Sequence, residues 1–138
     1  MPDVRVTRRL HFSAAHRLFR ADWSAERNLE VFGDCAHPNW HGHNYELEVT
    51  VAGPVDAETG FVMDLKLLKD LVQGRVIVDV DHRNLNVDVP WLEGVLPSTE
   101  NLVVAIWNRI VPGLPAGVRL DRLVLQETPR NSVEYTGG

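Results

Sequence analysis

The stretch Cys35-Ala-His-Pro-Asn-Trp-His41-Gly-His43 holds the only cysteine and three of the six histidines of this 138-residue chain. It runs directly into an alternating segment, with Tyr45, Leu47, Val49 and Val51 at odd positions and Asn44, Glu46, Glu48 and Thr50 at even ones. Side chains alternate faces along a strand, so the odd residues share one side. Carried backward, that parity places His41 and His43 on the buried side, roughly 6–7 Å apart along the chain. Two imidazoles converging there, with a thiol upstream, have more the character of a reaction site than of a core.

Three histidines on adjacent strands suit a catalytic zinc, which takes three protein ligands and keeps a fourth position open. His41 and His43 supply two, and the glycine between them leaves backbone room. His16 is the best third candidate, because its parity places it with the apolar face of an earlier strand. The competing reading is a set of satisfied core or surface histidines. His11 falls on the opposite face and His37 sits beside Pro38 in a loop, so both read as surface histidines. Cys35 stays open among three roles: a base or nucleophile favoured as thiolate by a nearby cation, a fourth ligand closing a structural site, or a small buried hydrophobe. Asp81-His82 is a carboxylate–imidazole neighbour pair suited to proton transfer near neutral pH, although adjacent residues often point apart. Glu127 ends the apolar alternation Leu123, Leu125 on their face. It must therefore be exposed at a strand end, paired, or bonded to a ligand such as a ring with two adjacent N–H donors.

The elements that position these residues follow from periodicity. A first strand spans roughly Val4 to His16, with Val4, Val6, Leu10, Phe12 and His16 at even positions and Arg8 interrupting them. Residues 17–40 show little periodicity and read as a long loop, a length that is usually functional or disordered. The second strand runs from about His41 to Ala52. Asp64 caps a helix from Leu65 with Leu68, Leu71, Val72 and Val76 on its apolar side, and Gly74 weakens its end. Residues 81–86 read as a polar loop. Ser98 caps a second helix carrying Leu102, Val103, Ile106 and Ile110, stopped by Pro112 and Pro115. Strands at about 118–127 and 132–135 close the order ββααββ. This predicts an α+β fold, an antiparallel four-stranded sheet with two helices on one face, in a single domain over residues 1–138.

Composition narrows the function classes. A hydrophobic content of 44% and a charged content of 24% are ordinary for a globular protein. No apolar run approaches the ~20 residues of a membrane span, and the opening Met-Pro-Asp-Val-Arg-Val predicts no export signal. A lone cysteine fits a reducing cytoplasm. A formal charge of −5 argues against nucleic acid as the main partner.

Taken in order, Phe12-Ser-Ala-Ala-His16-Arg-Leu18, Cys35-x5-His41-Gly-His43-Asn-Tyr45, Thr59-Gly-Phe-Val-Met-Asp64, Asp81-His82-Arg-Asn-Leu85, Ser98-Thr-Glu-Asn101 and Glu127-Thr128 resemble the 6-pyruvoyltetrahydropterin synthase family, which includes bacterial 6-carboxytetrahydropterin synthases. The resemblance runs nearly end to end. It implies a tunnelling fold assembling into an oligomeric barrel, commonly a homohexamer of two trimers with active sites at subunit interfaces. It implies a lyase acting on the small-molecule substrate 7,8-dihydroneopterin triphosphate, in tetrahydrobiopterin or queuosine biosynthesis. By matching positions, His16, His41 and His43 would bind Zn2+, Cys35 would be the proton-abstracting base, and Asp81 and His82 its relay. Glu127 would anchor the pterin ring, and Ser98, Thr99 and Glu100 would line its pocket. Ala36-His37 and Trp40 depart from the small polar residues and glycine common in pyruvoyl-forming members, whereas the five-residue gap from Cys35 to His41 is more like that branch. Two rival readings remain. A cupin-like metal protein would recruit Glu48, and a non-catalytic zinc module would close the site with Cys35.

Overall fold

The computed structural model describes residues 2–138. Strand β1 (Asp3–His16) pairs with β2 (His41–Pro54) along its whole length, antiparallel, from Asp3 opposite Pro54 to His16 opposite His41. Strand β4 (Arg119–Thr128) follows beside β2, and β5 (Asn131–Tyr135) beside β4. The expected four antiparallel strands are present, but the sheet has five strands and is mixed. The two-residue β3 (Arg83–Asn84) adds to the outer edge of β1 in parallel, giving the order β3-β1-β2-β4-β5. Its residues fall in the stretch expected to be a polar loop. Two residues carry too little alternation to announce a strand.

Alternation decides what each strand buries. Leu10, Phe12, Ala14 and His16 of β1 meet Tyr45, Leu47, Val49 and Val51 of β2 on the inner face, while Thr7, Arg9 and His11 point outward and are exposed. Helix α2 (Leu65–Val72) starts at Asp64, whose carboxylate accepts the Lys66 amide, and lays Leu68 and Val72 on this face. It passes through a wide π turn (Gln73–Ile77) into the short α3 (Val78–Val80), so the helical path continues beyond Gly74 and adds Val76, Ile77 and Val80 to the core. A π turn inserts a residue into the helical phase and so re-aims the side chains that follow it. Helix α4 (Thr99–Ile110) is capped by Ser98, as expected, and buries Leu102, Val103, Ile106 and Ile110. Fully burying each such side chain contributes roughly 1.5–3 kcal/mol.

One helix had no expectation behind it. Within the stretch read as a loop, α1 (Ala25–Phe32) forms behind the Ser24 cap and is followed by a 3-10 turn (Gly33–Ala36). Its apolar Leu29 and Val31 face outward, so no hydrophobic stripe marks it. What holds it is buried Asn28, whose carboxamide accepts the Arg20 amide at 2.7 Å and donates to the carbonyls of Arg20 (2.9 Å) and Ser24 (3.0 Å). Replacing Asn28 with alanine strands those groups, and the expected loss is about 1–3 kcal/mol. An unchanged urea midpoint in Asn28→Ala would show that α1 is held by something else.

Candidate metal centre and active site

The sheet parity brings His16, His41 and His43 together at the end of the β1–β2 ladder. Their donor atoms lie within 4.8 Å of one another. The rings stand edge to face, with centroids 4.6 Å (His16–His41), 5.1 Å (His16–His43) and 4.9 Å (His41–His43) apart. His16 is 1% exposed, and its Nδ1 lies 2.8 Å from the Pro97 carbonyl. A carbonyl only accepts, so Nδ1 carries the proton and Nε2 presents its lone pair. That Nε2 is buried without a partner, as is Nδ1 of His41. Orphaned buried nitrogens are costly unless something occupies them. Burial, first of all, lowers the proton affinity of all three imidazoles below the ordinary value of 6.5. They are held in the neutral form that binds metal. The donor set and its orphaned nitrogens fit a zinc ion of the three-histidine, open type.

A cavity of about 390 Å3 opens beside this cluster, lined among others by His16, Cys35, Ser98, Thr99, Glu100 and Glu127. Glu127 sits at an irregularity of the β4–β5 pairing between Gln126 and Thr128. Its Oε1 is 3.8 Å from His43 Nε2 and its Oε2 3.9 Å from His16 Nε2. The Thr99 hydroxyl donates to Oε2. Thr99 is buried in the first turn of α4, so the helix start fixes the carboxylate. Ser98 spends its hydroxyl on the Asn101 amide at 3.1 Å, and Glu100 is exposed at the rim. Cys35 is half-buried in the 3-10 turn, and burial, then the carboxylates of Glu127 and Asp34, push its thiol above the ordinary range.

Asp81 and His82 do pair, with His82 Nδ1 3.0 Å from Asp81 Oδ2. The pairing needs a left-handed backbone at His82 (φ 60°). Both residues grip Ser13, whose amide donates to Asp81 Oδ1 at 2.9 Å while its carbonyl accepts from the His82 amide at 2.6 Å. That first bond, ahead of the His82 contact, holds the Asp81 carboxyl below its ordinary range. The pair does not share the cavity of Cys35. His82 lines a cleft of about 510 Å3 with Ser13, His43, Asn44 and Arg83, Asp81 lines another beside His11, and among the described residues no hydrogen bond or ion pair links either to Cys35. Glu48 lies on the outer face in an ion pair with Arg9 at 2.7 Å and so stays apart from the histidines. The pattern a cupin-like site would need is therefore absent. The Sγ of Cys35 is not among the converging donors either. The Pro97 carbonyl had no sequence signal, being backbone. Tyr45 was legible only as core, yet its buried hydroxyl has no partner and its ring stands edge-on to His43 at 5.6 Å.

An α+β domain that gathers imidazoles, a thiol and a carboxylate at one sheet end has the layout of an enzyme. A model of the family described as 6-pyruvoyl tetrahydropterin synthase matches residues 5–138. The chain is 45% identical over 135 residues to a 6-pyruvoyl tetrahydrobiopterin synthase of Homo sapiens, covering 98% of this chain and 92% of that one. It superposes on the Caenorhabditis elegans 6-pyruvoyl tetrahydropterin synthase structure with a TM-score of 0.92 at 37% identity, covering 100% of this chain and 98% of that one. It is 30% identical over 149 residues to a 6-carboxy-5,6,7,8-tetrahydropterin synthase of Rickettsia bellii, covering 95% and 99%. The chain belongs to the 6-pyruvoyl tetrahydropterin synthase family, and it is an enzyme of the lyase class. No helix is long and apolar enough to cross a membrane among the described residues.

The lowered imidazole values carry a sign for stability. An unfolded histidine takes up a proton near pH 6.5, whereas these folded ones resist it, so their contribution is present above that value and lost as pH falls. In chelator-treated protein the urea midpoint is expected to drop between about pH 7 and pH 5.5. A midpoint that rises on acidification would contradict imidazoles held neutral by the fold.

Proposed function

We propose that this protein is a zinc-dependent lyase that converts 7,8-dihydroneopterin triphosphate, with loss of triphosphate, into 6-pyruvoyltetrahydropterin for tetrahydrobiopterin synthesis. The observation that carries this reading is the convergence of His16, His41 and His43 beside a cavity shared by Cys35 and Glu127. The greater identity to the Homo sapiens relative than to the Rickettsia bellii one, 45% against 30%, favours the pyruvoyl product. The five-residue gap between Cys35 and His41 points the same way. The alternative product, 6-carboxytetrahydropterin of the queuosine-type branch, uses the same substrate and site.

His16, His41 and His43 would hold the zinc, and bound zinc supplies Lewis acidity that acidifies the hydroxyl and C–H groups of the substrate side chain. Cys35 Sγ takes the proton from carbon. Burial raises its thiol, so the thiolate needs a compensating cation nearby. Glu127 anchors the pterin ring. Thr99 occupies Oε2 and leaves Oε1 to accept ring N–H donors, with Ser98 and Glu100 along the pocket wall. Asp81 orients His82, and the histidine accepts and releases the proton in turn.

Because neither Asp81 nor His82 lines the cavity that holds Cys35, the relay is read as arriving from a second copy of the chain. A homohexamer of two trimers with interface sites meets this need and covers open sheet edges. The single free cysteine suits a cytoplasmic setting.

Incubating zinc-loaded protein with 7,8-dihydroneopterin triphosphate and identifying the product by mass tests the reading. No consumption of substrate refutes the assignment, and the product mass decides between branches. Two substitutions separate the roles. His41→Ala is expected to lose metal by elemental analysis, whereas Cys35→Ala keeps it and loses about a hundredfold or more in turnover. Full activity in Cys35→Ala would remove the thiol from the mechanism. Co-refolding equal amounts of Cys35→Ala and His82→Ala chains should restore about a quarter of wild-type turnover, the fraction of random interfaces with both groups intact. A mixture as inactive as its parents would place thiol and relay on one chain.

A further inference from the structure

The two ligand strands do not end at their histidines. His16 and His41 are cross-strand partners, so Arg17 and Trp40 stand one step past the last pair of the ladder. The Arg17 guanidinium carbon lies 3.7 Å from the ring centre of Phe19 and 5.7 Å from that of Trp40. Its Nε donates to the Ala36 carbonyl at 3.1 Å, and the amide of the next residue, Leu18, donates to the Cys35 carbonyl at 2.8 Å. The turn that carries Cys35 thus hangs from the end of the strand that carries His16 by two hydrogen bonds to successive carbonyls.

The backbone of Arg17 is itself held on both sides. Asn86 accepts the Arg17 amide at 2.9 Å and donates its own carboxamide to the Arg17 carbonyl at 2.9 Å. Trp40 contributes from the opposite strand with a left-handed backbone (φ 66°), closed by its amide donating to the His37 carbonyl at 3.1 Å. A bulky aromatic rarely adopts this conformation, and a backbone outlier of this kind persists only where its surroundings enforce it. Among the described residues no carboxylate forms an ion pair with Arg17. Its Nε and its flat face are committed to the Cys35 turn and the aromatics.

We propose that Arg17 is a positioning residue: its guanidinium, steadied by Phe19 and Trp40, fixes the Cys35 turn against the three-histidine centre. Lysine is not equivalent here, because it lacks the planar fork that both donates sideways and stacks on rings. The catalytic consequence rests on the reading of Cys35 as proton acceptor given above. The positional part does not, since it concerns only where the turn is held.

The test uses the metal-loaded full chain as Arg17→Lys and Arg17→Met. Cys35 is the only cysteine, so iodoacetamide labelling of native protein reports on that turn alone. Both variants are expected to keep wild-type metal content. Labelling should be about five- to tenfold faster, and kcat should fall about tenfold or more with KM within about twofold, as befits a misplaced group rather than lost binding. Unchanged labelling and kcat in Arg17→Met, or full recovery of both in Arg17→Lys, overturns the proposal. Should the methionine variant fail to fold, Trp40→Gly removes the aromatic support while relaxing the backbone. Faster labelling of that folded variant supports the proposal, and unchanged labelling refutes it. A purely structural role would lower the melting temperature and leave labelling of the folded protein alone. If the wild type consumes no pterin triphosphate the functional reading fails, while the labelling comparison still judges Arg17.

Discussion

Fourteen residues of β1 meet fourteen of β2 in one unbroken antiparallel register, and nearly everything of consequence hangs on that alignment. The same parity that buries Leu10, Phe12, Leu47 and Val49 aims His16, His41 and His43 inward. A slip by one residue would turn Glu46 and Glu48 inward and expose Tyr45 and Leu47. Each large apolar side chain so displaced costs roughly 1.5–3 kcal/mol. The core at the far end of the ladder therefore enforces the geometry of the three-histidine end. The imidazoles need no local rigidity of their own beyond the one bond from His16 to Pro97.

That bond also ties the two halves of the inner layer together. Pro97 precedes the capped start of α4, and Thr99, in the first turn of that helix, holds Glu127 on β4. One helix terminus thus organises the His16 imidazole through a carbonyl and a carboxylate through a hydroxyl. The electrostatics are matched to this closeness. Three imidazoles, one buried and two half-buried, resist protonation, and the single carboxylate within 4 Å of two of them is pinned by a neutral donor rather than by a cation.

The parts of this fold that were legible in the sequence are those that pack against the core or sit at a helix start. The alternation of β2 located His41 and His43, the caps Asp64 and Ser98 located two helices, and the parity of Glu127 placed it inward. The parts that were not legible owe their stability to polar contacts between distant residues. Helix α1 turns Leu29 and Val31 to the outside and is held by Asn28, which no periodicity can reveal. Strand β3 has two residues and a parallel partner, and the chain must first be folded before Ala14 meets Arg83. Gly74 suggested an ending where the helix in fact changes to a wider turn. Even the Asp81–His82 pair depended on a left-handed backbone that sequence neighbours do not advertise.

Glu127 differs from the histidines in one respect. His16 and His41 are locked as partners in the ladder, but Glu127 has no partner strand residue on either side. The pairing of β2 with β4 stops at Gln126, and the pairing of β4 with β5 skips from Gln126 to Thr128. Its backbone is carried by the paired residues on either side, and its carboxylate is set by the Thr99 hydroxyl rather than by a cross-strand neighbour. A change of side chain at position 127 would be felt first by Thr99 and by the two imidazoles beside it, and only through them by the strands. The imidazoles thus inherit their spacing from strand registry, whereas the carboxylate that faces them takes its aim from the first turn of a helix.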